Sequence, residues 1–152
     1  MNNQLKSKTR LTLIQIIFQH LSTKNDINEI FDSFDVNYKS TYVENFHNKK
    51  KIKFEFNSNF LKKLINFYSS YISSNDYSLI INKYIDFNRK FENWDVINQS
   101  ILLAILSELN FSEQNNIKII FNNYLNISKS FVKQSEVNIL NAIVDKIIND
   151  KN

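Results

Sequence analysis

A chain of 152 residues is long enough to bury a core without a covalent staple, and the absence of cysteine excludes disulfides, thiolate catalysis and cysteine-ligated metals. Glycine and proline are absent too, which excludes a glycine-rich phosphate loop or dinucleotide fingerprint and leaves asparagine and serine to make turns and caps. The formal charge of +4 is uneven: residues 1–75 hold eleven Lys/Arg against six Asp/Glu, and residues 76–152 hold eight against nine, so an anionic partner, nucleic acid first, is expected at the amino-terminal half.

The opening MNNQLKSKTR is polar and leads into an amphipathic segment, and the longest apolar run, Ile101 to Leu106, is six residues. Both argue against a secretory leader or a membrane span, and cytoplasmic location is the expectation. Residues 1–7 read as frayed, followed by a helix over Lys8 to Leu21 with Leu13, Ile17 and Leu21 on one line and Ile14 and Phe18 beside it. Lys6, Lys8 and Arg10 precede or begin that stripe, where the helix dipole disfavours cations, a reason to look for an anionic ligand. Asn25 to Asp35 predicts a short helix on Ile27, Ile30, Phe31 and Phe34, capped by Thr23 or Asn25.

Residues 36–56 are ambiguous. Tyr38, Tyr42, Val43 and Phe46 fit a helical continuation, whereas KKKIKFEF alternates at Ile52, Phe54 and Phe56 like a strand. With no second strand evident, the stretch is read as an exposed basic loop, carrying Lys49, Lys50, Lys51 and Lys53, that leads into a helix. Asn57 or Ser58 then caps a helix to about Ser73 bearing Phe60, Leu61, Leu64, Ile65, Tyr68 and Ile72, and Asp76 caps a shorter one with Tyr77, Ile80, Ile81 and Tyr84.

The stretch WDVINQSILLAILSEL, residues 94–109, carries the strongest helical ladder, Ile97, Ile101, Ile105 and Leu109, widened by Leu102 and Leu106. It reads as the central core helix, N-capped by Asn93, with Ser100, Ser107 and Glu108 as a polar flank near water. Ser112 caps the next helix, with Ile117, Ile120, Phe121, Tyr124, Ile127 and Phe131 at helical spacing. A last helix from near Ser135 uses Val137, Leu140, Val144, Ile147 and Ile148. The expected fold is all-α: one domain, a compact bundle of about seven helices in two small lobes, an amino-terminal one over residues 8–85 and a carboxy-terminal one over residues 93–150.

Four ordered segments carry a resemblance: TRLTLIQIIFQHL (9–21), SILLAILSEL (100–109), IIFNNYLNISKSF (119–131) and SEVNILNAIVDKI (135–147). Together they resemble the NusB family of transcription antitermination factors. Within them Arg10 stands before the apolar ladder, Gln15, Phe18 and Gln19 form the Gln-x-x-aromatic-Gln pattern, and Glu108 and Leu109 end the central helix. Asn122 matches an asparagine of an Ile-Asn-Glu segment, followed two residues on by Tyr124, and Asn141 with Asp145 matches the terminal-helix signature. The chain departs from the pattern at Leu103, where the family has arginine, at Asn123, where it has glutamate, and at Ala142, where it has glycine.

The resemblance implies a noncatalytic RNA-binding adaptor that takes single-stranded boxA-like RNA together with the ribosomal protein NusE. It implies work beside NusA, NusG and RNA polymerase in support of ribosomal RNA transcription, with a second copy of the chain a further candidate partner. On that basis Lys6, Lys8, Arg10, Gln15, Gln19, Asn122, Tyr124 and Asn141 are the RNA-binding candidates, and Glu108, Glu113, Ile117 and Asn123 the protein-binding ones. Phe18 and Phe131 read as core, and Tyr124 as a boundary residue. No cofactor or metal is expected: His20 and His47 are the only histidines and sit in no metal motif. The alternatives are a helical protein-interaction scaffold without specific RNA binding, and an enzyme using Glu108 and Asp145 as an acid/base pair.

Overall fold

The computed structural model describes residues 1–38, 41–44 and 51–150. Seven α-helices follow one another among them: α1 Asn3–Thr23, α2 Ile27–Ser33, α3 Ser58–Ser74, α4 Tyr77–Asn82, α5 Val96–Asn110, α6 Ile117–Ser128 and α7 Gln134–Asp150. Helix α5 is the hub. It packs against α1, α3, α6 and α7, while α1 also touches α2, α3 and α6. The helical bundle expected from the periodicity is therefore the architecture found, with one short strand pair between α2 and α3.

The central helix is more deeply buried than its polar flank suggests. Every residue from Ser100 to Leu109 is buried, because neighbours cover it on all sides. Ser100 and Ser107, read as lying near water, are inside, and each hydroxyl turns back on its own helix, Ser100 Oγ donating to Val96 O at 2.7 Å and Ser107 Oγ to Ala104 O at 3.1 Å. Leu103, where the related pattern has an arginine, is fully buried. Burial of this one helix joins residues of α1, α2, α3, α6 and α7 in a single core cluster.

Caps explain where the helices begin. Asn2 accepts from Leu5 N at 2.8 Å, so α1 starts at Asn3 and the first turn is helical rather than frayed. Asn57 caps α3 and Asp76 caps α4, as the sequence indicates, but α2 is capped by Asp26 rather than Thr23 or Asn25, since only Asp26 reaches Asn28 N and Glu29 N. Helix α5 begins after Asp95, not Asn93; Phe91–Asn93 is a 3₁₀ turn that leaves Trp94 to pack on Phe91 and Phe87. Ser112 closes α5 through a bond to Glu108 O instead of opening α6.

The largest correction concerns residues 36–56. Phe34–Tyr38 is a π-helical turn, and Thr41–Glu44 (β1) pairs antiparallel with Lys51–Phe54 (β2), Thr41 opposite Phe54 and Glu44 opposite Lys51. The alternation of KKKIKFEF does mark a strand. Its partner is the Thr-Tyr-Val run, whose β-branched and aromatic residues suit a pleated surface better than a helical continuation or a loop. Phe46, His47, Lys49 and Lys50 lie outside the described residues.

Helix α1 ends at Lys24, whose φ of 64° is the one positive value for a non-glycine residue among the described positions, and its N–H bonds His20 O at 2.9 Å. With no glycine in the chain, a side chain bears the left-handed C-cap. Such a conformation costs a β-carbon-bearing residue roughly 1–2 kcal/mol. Lys24→Gly is expected to raise stability by about 0.5–1 kcal/mol in urea unfolding; an unchanged or lower midpoint would show that the turn carries no strain.

Candidate nucleic-acid interface

Helical spacing divides α1 into faces. Thr9, Leu13, Ile16 and His20 look toward α3: Thr9 Oγ1 accepts from Asn57 N at 2.9 Å, and the His20 ring meets Tyr68 edge-on at 6.0 Å. Arg10 and Ser7 look toward α5 and α6. The remaining face holds Lys8, Leu11, Gln15, Phe18, Gln19 and Ser22, at i, i+3, i+7, i+10, i+11 and i+14, and none of these six is buried. Phe18 is 41% exposed. The reading of Phe18 as core is thus overturned: it lies on the Gln15 and Gln19 side of the helix, off the Leu13–Ile17 line.

Arg10 is also corrected, in the opposite direction. It is 8% exposed, and its guanidinium is spent inside the protein. Nε donates to Glu108 Oε1 at 3.0 Å, Nη2 to Glu108 Oε2 at 2.7 Å, and Nη1 to Asn123 Oδ1 at 2.8 Å. Its central carbon lies 5.5 Å from the Phe60 ring centre and 5.6 Å from that of Tyr124. Tyr124, fully buried, donates its hydroxyl to Glu108 Oε1 at 2.6 Å. Asn123 Nδ2 donates to Ser7 Oγ at 2.6 Å, closing the network back onto α1.

Burial opposes the Arg10 charge, but the hydrogen bonds and attraction of Glu108 outweigh it and hold the guanidinium above its ordinary pKa. Burial first, and then the Glu108 carboxylate, push the Tyr124 phenol well above 10. Arg10 therefore stays charged, the Tyr124 hydroxyl stays protonated, and Arg10, Glu108 and Tyr124 are interior groups engaged with one another. Glu108 cannot serve as the acid of an acid/base pair with Asp145 either, since Arg10 and Tyr124 occupy its oxygens and Asp145 is exposed on α7.

The other candidates divide by position. Lys6 is half-buried in the first turns of α1, and Lys8 pairs with Glu55 at 3.2 Å. The Gln15 side chain has its Oε1 buried without a hydrogen-bond partner among the described residues. Asn122 is exposed on α6, next to the Asn123 that grips Ser7. Glu113 is exposed and Ile117 half-buried at the start of α6. Asn141 is exposed on α7, a helix that packs on α5 and α6, and no described contact links it to the α1 face. Ala142, where the related pattern has glycine, is exposed beside it.

Sequence reasoning missed Ser7 and Phe60 as members of the buried network. A signal was present for its charged pair: Arg10 shares the i, i+4, i+7 line of Ile14 and Ile17, and Glu108 shares that of Ile101 and Ile105. Opposite charges on the apolar lines of two core helices belong together.

An all-helical bundle centred on a buried helix, with a cation, amides and an exposed aromatic along its first helix, defines the kind of protein this is: a helical scaffold with one polar, aromatic-bearing face. A family model described as the NusB family matches residues 7–149, and the chain belongs to that family. The transcription antitermination protein NusB of Rickettsia typhi is 22% identical over 148 residues, covering 97% of this chain and 93% of that protein. The protein of the same name from Rickettsia bellii is 25% identical over 146 residues, covering 95% and 90%. A chain in the crystal structure of antitermination factors NusB and NusE in complex with dsRNA shares the fold, with a TM-score of 0.69 at 12% identity over 98% of this chain and 99% of that one. A chain in the crystal structure of a plectonemic RNA supercoil gives a TM-score of 0.69 at 12% identity, covering 97% and 96%.

Two outcomes follow from the buried network. Arg10→Ala leaves Glu108 charged and unpaired in the core and is expected to cost about 3–5 kcal/mol, whereas the double change Arg10→Met with Glu108→Leu costs much less; equal losses in chemical denaturation would mean that the pair is not what the site lacks. The second concerns pH. The unfolded chain loses the Tyr124 proton near 10 and the folded chain only above it, so this stabilisation is complete below pH 10 and falls as pH rises, by about 1.4 kcal/mol per unit. Melts between pH 10 and 11 should show at least that slope, and Tyr124→Phe should reduce it by about that amount while the buried Tyr68 and Tyr71 phenols, also held above 10, keep the remainder.

Proposed function

We propose that this chain is a noncatalytic RNA-binding adaptor of transcription antitermination, and that unpaired RNA runs along the outward face of α1. One observation carries the reading: Lys8, Gln15, Phe18 and Gln19 lie on a single helix face, with Phe18 exposed and the other three half-buried. Single-stranded nucleic acid is held by cations for its phosphates, flat groups for its bases and amides for base edges, and those chemistries coincide on this stripe. Lys6 adds a cation near the helix start, on the Arg10 line rather than on the stripe, and Asn122 is exposed on α6 next to the Asn123 that bonds Ser7.

The names of the relatives support the antitermination role, and the complex of NusB and NusE with dsRNA supports the class of partner. On this reading the RNA is boxA-like, NusE binds the carboxy-terminal half near Glu113 and Ile117, and the assembly includes NusA, NusG and RNA polymerase in the cytoplasm. Among the described residues no helix is long and apolar enough to cross a membrane. Arg10 contributes by holding α1 in place rather than by touching phosphate, and Asn141 is the least supported of the RNA candidates.

The test is a fluorescence titration of boxA-like against scrambled single-stranded RNA, with and without NusE. Phe18→Ala is expected to weaken binding about tenfold, in keeping with the loss of one stacked base, at little cost in stability because the ring is largely outside. Lys6→Ala should lower the salt slope by about one. Equal affinity for boxA-like and scrambled RNA even beside NusE would defeat the reading and favour a protein-interaction scaffold.

A further inference from the structure

A second flat, cation-bearing surface stands apart from the α1 stripe. Phe111, the C-cap residue of α5, stacks on Phe67 of α3 with ring centres 4.8 Å apart and planes 12° from parallel. Phe111 remains 46% exposed, so this stacking leaves much of the ring open. The Lys63 ammonium lies 5.7 Å from the Phe67 ring centre, and Lys62 and Lys63 are both exposed. The ring is held by its backbone, since Phe111 N bonds Glu108 O at 3.2 Å and Ser112 Oγ bonds the same carbonyl at 2.6 Å.

We propose that Phe111, backed by Phe67 and with Lys63 beside that ring, is a stacking platform for one unpaired nucleobase of the same RNA strand. The inference rests on the RNA-binding reading above and adds a contact to it. A base needs a fixed ring with an open face and a cation near enough for its phosphate. Phe111 supplies the ring, immobilised on one side by Phe67, and Lys63 supplies the charge. Glu113, two residues on, is the nearest acid in sequence that is exposed. A basic protein segment would meet Lys63 as a like charge, which is why RNA fits the surface better. The position also connects to the first helix: Phe111 is one turn past Glu108, whose carboxylate holds Arg10, one turn past Lys6.

The experiment uses the full chain and boxA-like single-stranded RNA with 2-aminopurine substituted at successive positions. One position is expected to be quenched on binding, and Phe111→Leu, which keeps apolar bulk but not the flat ring, should abolish that quenching and weaken affinity about tenfold at an unchanged salt slope. Phe111→Tyr should restore both. Lys63→Ala should instead lower the slope by about one. If Phe111→Leu binds and quenches like the unaltered chain while Phe18→Ala still weakens binding, the platform is refuted and the α1 reading stands. Loss of NusE association in Phe111→Leu with RNA affinity intact would also refute it, marking a protein-docking surface. If the unaltered chain binds no single-stranded RNA, both fall together.

Discussion

The contact on which the bundle depends is the two-pronged ion pair between Arg10 and Glu108. It crosses from the first helix to the central one, is roofed by Tyr124 of α6, and is extended by Asn123 to Ser7. The first helix is thereby fixed at one point to the consecutive pair α5 and α6. A charged pair in a core gains little over a well-packed apolar pair, because desolvation offsets most of its attraction, but it tolerates few alternative packings. Leucine side chains can slide past one another; a fork of donors facing two carboxylate oxygens cannot. The pair sets the register of α1 on α5, and α1 carries the outward stripe.

That arrangement explains the division of labour among the amino-terminal cations. Three positive residues stand close together in the chain, yet helix geometry sends them different ways. Arg10 turns inward, Lys8 reaches sideways to Glu55, and Lys6 stays near the surface at the helix start. The inward position suits arginine, whose planar guanidinium makes parallel bonds to a carboxylate and lies against aromatic rings, as it does between Phe60 and Tyr124. Asn123 fits the same logic. Its carbonyl faces an arginine that can only donate, which leaves its amide nitrogen for Ser7.

Much of the fold was legible because a buried helix announces itself by apolar spacing. The ladder Ile97, Ile101, Ile105, Leu109 located α5, and Asn57 and Asp76 located the starts of α3 and α4. Serines and charges were misread because residue type was allowed to outvote position: Ser100, Ser107 and Glu108 look polar in a sequence but sit on a helix with no free side. Phe18 failed for the mirror reason, an aromatic credited with burial although its neighbours on the wheel are glutamines. The strand pair over residues 41–54 was hidden because each strand has four residues and neither declares its partner. Which side chains meet across 98 residues of chain, as Arg10 and Glu108 do, lies beyond what periodicity alone can reveal.

The chain's one tryptophan gives the molecule a built-in optical reporter. Trp94 is nearly enclosed where the 3₁₀ turn meets α5, between Phe87 and Phe91, with its indole N–H on Arg89 O at 3.1 Å. Its emission therefore senses whether that corner is dry. A red shift signals water reaching the start of the central helix, and a comparison with circular dichroism separates loosening of that corner from loss of helix throughout, with no label attached.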